Sequence, residues 1–239
     1  MQLLPKLSPC QSRMEIVFGG ESIVLDASGA LFLAAHGMLV VADLHLEKGS
    51  FFAARGNPVP RHDTGDTLQR LGAAIDAYRP RTVICLGDSF HDIAASERMT
   101  LPDCRMLERL MRAAGAWLWL TGNHDPQIPA IFGGATGALH AAGGLSLAHL
   151  PETPARPLIA GHYHPKLSVR VAGQHISGRC FLYSDELLLM PAFGAYAGGL
   201  DTRDAALTPL FAARERRHVL TYRGKLWPMN PGEASAPWN

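Results

Sequence analysis

Strong charge of either sign is missing from this chain: 22 Lys and Arg nearly balance 21 Asp and Glu, for a formal net charge of +1 with eleven His counted neutral. No global field draws it to a polyanion or a membrane surface, so any such attraction must come from a local patch or a bound cation. Charged residues are only 18% of the total and aromatics 8%, which argues against long solvated helices. A hydrophobic share of 47% excludes wholesale disorder. Long apolar runs are lacking as well. The longest stretch without a formal charge, residues 126–151, holds five Gly, three Pro and two His and is no membrane span. The N-terminal MQLLPKLSPCQSR lacks an apolar core and a small-residue cleavage site, which argues against secretion. Cys10, Cys85, Cys104 and Cys180 form no CxxC pair, so buried or incidental thiols are expected in place of a disulfide framework. A cytoplasmic protein is the expectation.

Glycine and proline are plentiful, at 24 and 17, which predicts many tight turns between short buried segments. A chain of 239 residues and 25.8 kDa suits one sizeable core. No repeat or linker-like run interrupts it, so 14–239 reads as a single domain behind a disordered extension over 1–13. Residues 15–25 and 30–33 predict a β-hairpin around the turn at 26–29. Short buried strands are expected at 38–42, 82–86, 117–120, 145–148 and 158–160. Half-buried or edge strands are expected at 167–171, 179–183, 186–190 and 218–222. Leu68, Leu71, Ile75 and Tyr78 recur at helical spacing over 63–78, and Leu107, Leu110, Met111 and Ala114 do so before Gly115. The order is α/β with strands outnumbering helices, which predicts layered sheets flanked by helices.

Chemistry concentrates where the apolar runs end. Five of them stop at small polar sets: Asp43-Leu44-His45, Gly87-Asp88, Gly122-Asn123-His124-Asp125, His149, and Gly161-His162-Tyr163-His164. Ligands of open α/β sheets bind beyond the carboxyl ends of strands, so these tips should converge. Alternation along an extended segment would turn Asp43 and His45 to one side, and likewise His162 and His164. The glycines before Asp88, Asn123 and His162 would allow a sharp turn or a close approach. Each set alone is a common turn or cap; five in this order are specific.

These five motifs resemble those of the calcineurin-like metallophosphoesterase superfamily. The flanks 42–49, 87–92 and 190–196 are most similar to its bacterial ligase-associated DNA-damage-response endonuclease branch. The resemblance implies a four-layer α/β/β/α sandwich and a dinuclear metal centre. One metal would take Asp43, His45, Asp88 and His164; the other Asp88, Asn123, His149 and His162, with Asp88 bridging. A shared carboxylate offsets the repulsion of two dications, and mixed N/O donors without thiolate suit Mn²⁺, with Fe or Zn²⁺ as alternatives. His149 precedes a Leu-Pro where many members have Gly-His, and His140 is the alternative. His124 would stabilise the transition state and protonate the leaving oxygen, with Asp125 orienting it; Asp125 could cap the turn before Pro126 instead, or do both. The implied reaction is in-line attack of a metal-activated hydroxide on phosphorus.

The ester itself is less legible. Lys48, Arg55 and Arg61 are either phosphate contacts or solvated charges, and His91 and Asp92 either touch substrate or support the ligands. Arg214, Arg216, Arg217 and His218 form a small basic cluster, more often a solvated face than a nucleic-acid track. Phe193, Tyr196 and Trp227 are core residues or base-stacking platforms. Three functions stay open. The first, favoured by the resemblance, is a sequence-tolerant DNA endonuclease acting in repair, with single-stranded DNA as substrate and other repair proteins as partners. The others are a small-molecule or nucleotide phosphodiesterase or phosphatase, and a non-catalytic adaptor; complete ligand motifs argue against the last.

Overall fold

The computed structural model describes residues 11–57, 59–171, 174–211 and 215–229. Cys10, Arg214 and residues 1–10 of the expected extension lie outside them. Gln11 already bridges Leu226, and the first strand opens at Arg13.

The first sheet runs in sequence order. It comprises β1 (Arg13–Phe18), β2 (Glu21–Asp26), β3 (Leu31–Leu33), β4 (Met38–Val41), β5 (Thr82–Leu86), β6 (Ala116–Leu120) and β7 (Ala135–Gly137). The run over 15–25, expected as one strand, is two, because Gly19 and Gly20 turn the chain with φ of 58° and 82°. The β4–β5, β5–β6 and β6–β7 pairs are parallel. Between them lie α1 (Lys48–Ala54), α2 (Asp63–Tyr78), α3 (Ala95–Arg98) and α4 (Leu101–Ala113). The α4 helix starts where Thr100 accepts the N–H of Asp103, with Pro102 in its first turn, where a missing N–H costs nothing.

The second sheet contains β8 (Leu139–Ala142), β9 (Leu145–Ala148), β10 (Leu158–Ala160), β11 (Lys166–Val171), β12 (Gln174–Tyr183), β13 (Leu187–Leu189), β14 (Arg217–Tyr222) and β15 (Lys225–Met229). Its order is β15-β14-β12-β13-β10-β9-β8, with β11 paired to β12. The expectation that 186–190 and 218–222 are edge or half-buried strands is corrected: β13 lies between β12 and β10, and β14 between β15 and β12. Leu187, Leu188 and Leu189 are all buried because both faces of that central strand are covered.

Strand alternation assigns the layers. Val40, Ala42, Ile84, Leu86 and Leu120 face Leu147, Ile159, Phe181, Leu188 and Met190 of the second sheet in one central core. The intervening Leu39, Val41, Val83, Cys85 and Trp119 point outward onto Leu68, Leu71, Ile75 and Leu107 of α2 and α4. On the far side Leu158, Ala160, Leu187 and Leu189 pack under Leu207 and Phe211, from a short 3₁₀ turn and α5 (Thr208–Phe211). The result is the α/β/β/α sandwich, with its fourth layer reduced to two short helical turns.

Candidate metal centre

All five polar motifs follow the carboxyl ends of parallel strands: β4, β5 and β6 in one sheet, β9 and β10 in the other. The sheets face each other across the central core, so the tips meet at one edge of the sandwich. Asp43, His45, Asp88 and His149 are 0%, 4%, 2% and 2% exposed. Two carboxylates at that depth demand compensating positive charge.

The backbone does not reach this site as strand. Asp43, His45 and Glu47 have φ of 54°, 44° and 67°, and Asp88, His162 and His164 have 46°, 74° and 48°. Left-handed backbone at non-glycine residues costs about 1–3 kcal/mol each and persists only where surrounding structure enforces it. The expected strand alternation is thereby corrected. Asp43 and His45 do share a group, but through alternate left-handed turns. His162 and His164 enter different groups.

Among the described residues the donors fall into two groups that contain a carboxylate, Asp43-His45-His164 and Asp88-His149-His162, and a third of imidazoles alone, His45-His91-His124, each with ligand atoms within 4.8 Å of one another. In the first, Nε2 of His164 lies 3.3 Å from Nε2 of His45 and 3.3 Å from Oδ1 of Asp43. In the second, Nε2 of His149 lies 3.0 Å from Asn123 Oδ1, 3.2 Å from His162 Nδ1 and 3.5 Å from Asp88 Oδ2. Oδ2 of Asp88 is also 4.0 Å from Nε2 of His45, so a single carboxylate oxygen stands between the groups. His149 donates its Nδ1 proton to the Leu86 carbonyl at 2.9 Å, which points Nε2 inward. Gly87, at φ 69°, makes room for that ring, since a Cβ there would lie 2.5 Å from His149 Cγ. His140 sits in β8 opposite Leu147, in none of these groups.

Lone pairs facing one another at 3.0–3.3 Å need a cation or proton between them. Burial works against charge on His149, but the Asp88 bond and then the Asp43 charge prevail and raise its pKa to about 9. His45 goes the other way, to about 2, through burial and the neighbouring His164. The same His149 bond, aided by its charge, overcomes burial at Asp88 and lowers that carboxyl to about 2. Imidazole and carboxylate donors with one amide and no thiolate fit divalent metal ions.

His124 lies at the mouth, its backbone N–H donating to Asp88 Oδ1 at 2.8 Å and its Nδ1 donating to the carbonyl of His91 at 2.9 Å. Its ring stacks on His91 at 5.1 Å and stands edge-on to His45 at 5.1 Å. The expectation that Asp125 orients His124 is corrected. Both Asp125 oxygens are occupied by the N–H groups of Asp88, Ser89, Phe90 and Gly122 at 2.6–3.1 Å, and the His91 carbonyl orients the ring. His91 is buried, with Nδ1 3.4 Å from His45 Nδ1. Asp92 does not reach in; it caps Ala94 and pairs with Arg98.

Among the other expected contacts, Lys48 is half-buried at the start of α1, and Arg55 is exposed beyond its end. Arg61 is turned to Arg98 O and Glu47. The expected basic cluster is dispersed: Arg217 pairs with Asp185, Arg216 lies over Phe211, and His218 is buried. Phe193 is fully buried, Tyr196 donates to Pro60 O, and Trp227 packs in a small core.

Two features escaped the sequence reading. The loop at 193–194 buttresses the first motif, with Phe193 N–H donating to Ala42 O and Gly194 N–H to Asp43 O, while Arg70 and Arg179 hold the two loop carbonyls. The α1 helix was also missed, although Lys48, Phe51, Phe52 and Arg55 recur at helical spacing.

Buried Asp43, His45, Asp88 and His149, joined by half-buried His162 and His164 and exposed Asn123 at the meeting edge of two sheets, define a divalent-metal site of a phosphoester hydrolase. The chain belongs to the calcineurin-like phosphoesterase family, whose profile matches residues 38–194. Among solved structures it is similar to Pseudomonas putida nuclease MPE, with 26% identity and a TM-score of 0.72 over 91% of this chain and 100% of that one. More distant are Yfce, a phosphoesterase from E. coli (16% identity, TM-score 0.39, 68% of this chain and 83% of that one), and the Aquifex aeolicus protein AQ665 (17%, 0.37, 53% and 78%). Curated protein sequences contain no match. Among the described residues, no helix is long and apolar enough to cross a membrane.

Proposed function

We propose that this chain is a dinuclear-metal phosphodiesterase that cuts DNA, favouring single strands, without reading base sequence, in the service of DNA repair. The observation that carries the dinuclear reading is Oδ2 of Asp88, poised between His45 Nε2 at 4.0 Å and His149 Nε2 at 3.5 Å. Asp43, His45, Asp88 and His164 would hold one ion, and Asp88, Asn123, His149 and His162 the other. Mn²⁺ fits this donor set, with Fe and Zn²⁺ as alternatives. When bound, such ions activate water at neutral pH and neutralise charge on the phosphoryl oxygens. The nuclease reading is supported by the likeness to Pseudomonas putida nuclease MPE across the whole of that chain. The repair role and a cytoplasmic setting rest on the branch resemblance and on Cys85, Cys104 and Cys180 being free thiols. Strands β1–β3, β14 and β15 lie outside 38–194 yet complete both sheets, which supports one domain over 14–239.

The protein's own groups divide the work. His124, with Nδ1 fixed on the His91 carbonyl, presents Nε2 for donation to the leaving oxygen. Asp125 keeps the Asp88 loop in its left-handed turn. Lys48, half-buried, near enough for its charge to act on His45 and the basic residue closest to the first motif in sequence, supplies a cation for a phosphate.

The test is steady-state hydrolysis of single-stranded DNA, duplex DNA, a bis-aryl phosphodiester and an aryl phosphomonoester with Mn²⁺. Both diester classes should be cleaved well ahead of the monoester. The five motifs contain no Lys or Arg to meet a second phosphate charge. A preference for the monoester overturns the reading in favour of a phosphatase.

A further inference from the structure

The α1 helix carries an arrangement that the metal centre does not use. Gly49 and Ser50 form its buried side. Lys48, Phe51, Phe52 and Arg55, spaced i, i+3, i+4 and i+7, share another side. Neither Phe ring belongs to any of the four hydrophobic clusters of the described residues. Both rings meet His91, Phe51 edge-on at 4.5 Å and Phe52 at 6.2 Å. The Arg55 guanidinium lies 3.5 Å from the Phe51 ring centroid, with its head exposed. An unbroken row of contacts therefore leads from His45 through His91 and Phe51 to Arg55.

We propose that this side of α1 is the docking strip for an unpaired nucleic-acid strand: Lys48 and Arg55 take backbone phosphates, and the Phe51–Phe52 step between them stacks a base. The inference rests on the nuclease reading and names how the strand is held. Cation, aromatic and cation in series match the alternation of phosphate and base along a single strand. A duplex hides its base faces and could use only the two cations. The ring beneath Arg55 holds the guanidinium plane in place, so less side-chain freedom is lost on binding. Stacking is indifferent to base identity, in keeping with a sequence-tolerant enzyme.

The experiment compares three fluorescent oligonucleotides of equal length by anisotropy, in EDTA to prevent cleavage: oligothymidylate, its abasic counterpart and a duplex. Hydrolysis of oligothymidylate and of the bis-aryl diester is measured in parallel with Mn²⁺. Wild type should bind oligothymidylate roughly 10-fold more tightly than the abasic strand, within the range of one stacked base. Phe52→Ala should erase that difference, and Phe52→Trp should restore it. Arg55→Ala should weaken all three ligands and reduce the salt dependence by about one phosphate contact. In both variants the ratio of DNA to bis-aryl hydrolysis should fall. Equal wild-type affinity for oligothymidylate and abasic strand overturns the strip, even if Phe52→Ala fails to fold. So does an unchanged hydrolysis ratio in a folded Phe52→Ala. A wild type that cleaves the bis-aryl diester but neither binds nor cleaves DNA overturns the nuclease reading itself.

Discussion

The carboxylate of Asp125 holds the backbone of Asp88, accepting its N–H at 2.9 Å while also taking those of Ser89, Phe90 and Gly122. One buried side chain thus ties the loop after β6 to the loop after β5 and keeps Asp88 at a φ of 46°. Burial raises the Asp125 pKa to about 6, with the Asp88 charge adding to the rise and the N–H groups opposing it.

Removing that brace should unsettle both the fold and the metal site. Asp125→Asn turns an NH₂ group toward buried N–H donors, and each donor left unpaired costs about 1–3 kcal/mol. We expect urea unfolding of the metal-free protein to show a loss of about 3 kcal/mol. Calorimetric titration should show Mn²⁺ affinity down by about 10–100-fold, as for groups that support metal ligands. Unchanged affinity would show that the Asp88 loop holds its shape unaided.

Asp88→Ala should abolish binding of both ions. Its Oδ2 is shared between the two donor groups, and without it two dications would face each other unscreened. Elemental analysis after saturation and gel filtration should fall from close to two ions per chain to none. One ion retained at full affinity would dismiss Asp88 as the bridge.

His124 should separate catalysis from metal binding. It clusters with His45 and His91, apart from the donors around Asp43 and Asp88, and its Nδ1 is taken by the His91 carbonyl. His124→Ala should therefore keep both ions yet lose about 10²–10⁴-fold on DNA, whose alkoxide needs a proton. An activated bis-aryl diester should suffer far less, because its leaving oxygen departs unaided. His164→Ala should depress both substrates together through weakened metal binding. Equal losses on both substrates in His124→Ala leave no case for proton donation.

Acid stability should depend on His218, far in sequence from the metal motifs. Its imidazole is 8% exposed, with no hydrogen-bond partner for Nδ1 among the described residues. Burial, and next the charge of Arg216, lower its pKa to about 4, with Asp201 opposing. Between about pH 6.5 and 4 the unfolded chain binds this proton and the folded one does not. Stability therefore rises with pH there and is lost on acidification, at up to about 1.4 kcal/mol per pH unit. Urea unfolding of His218→Gln should show a shallower decline over that window than wild type. Parallel curves would locate the acid sensitivity elsewhere.

What the sequence by itself determined was local. Apolar runs of four or five residues stopped by Gly-Asp or Gly-Asn-His mark strands and their tips, because a buried strand can end in polar groups only where it leaves the core. Thus β5 at Thr82–Leu86 and α2 at Asp63–Tyr78 were legible to the residue, as were all seven residues that form or border the two donor groups. Some short elements were not. The β7 and β8 strands carry too few residues for a period to show, and the turns at Gly19 and Gly20 split an apparently continuous strand.

Only the tertiary structure decided partners at long sequence distance. That β13 lies at the centre of its sheet follows from pairing with β10 and β12, which its three leucines do not encode. Asp125 reaches across 37 residues to Asp88 instead of serving the adjacent His124, because four unpaired backbone N–H groups compete more strongly for its carboxylate than one ring does. His162 and His164 part to different donor groups because left-handed turns, enforced by packing, override the alternation that their spacing suggests. Sequence spacing supplies the donors; packing between the two sheets aims them.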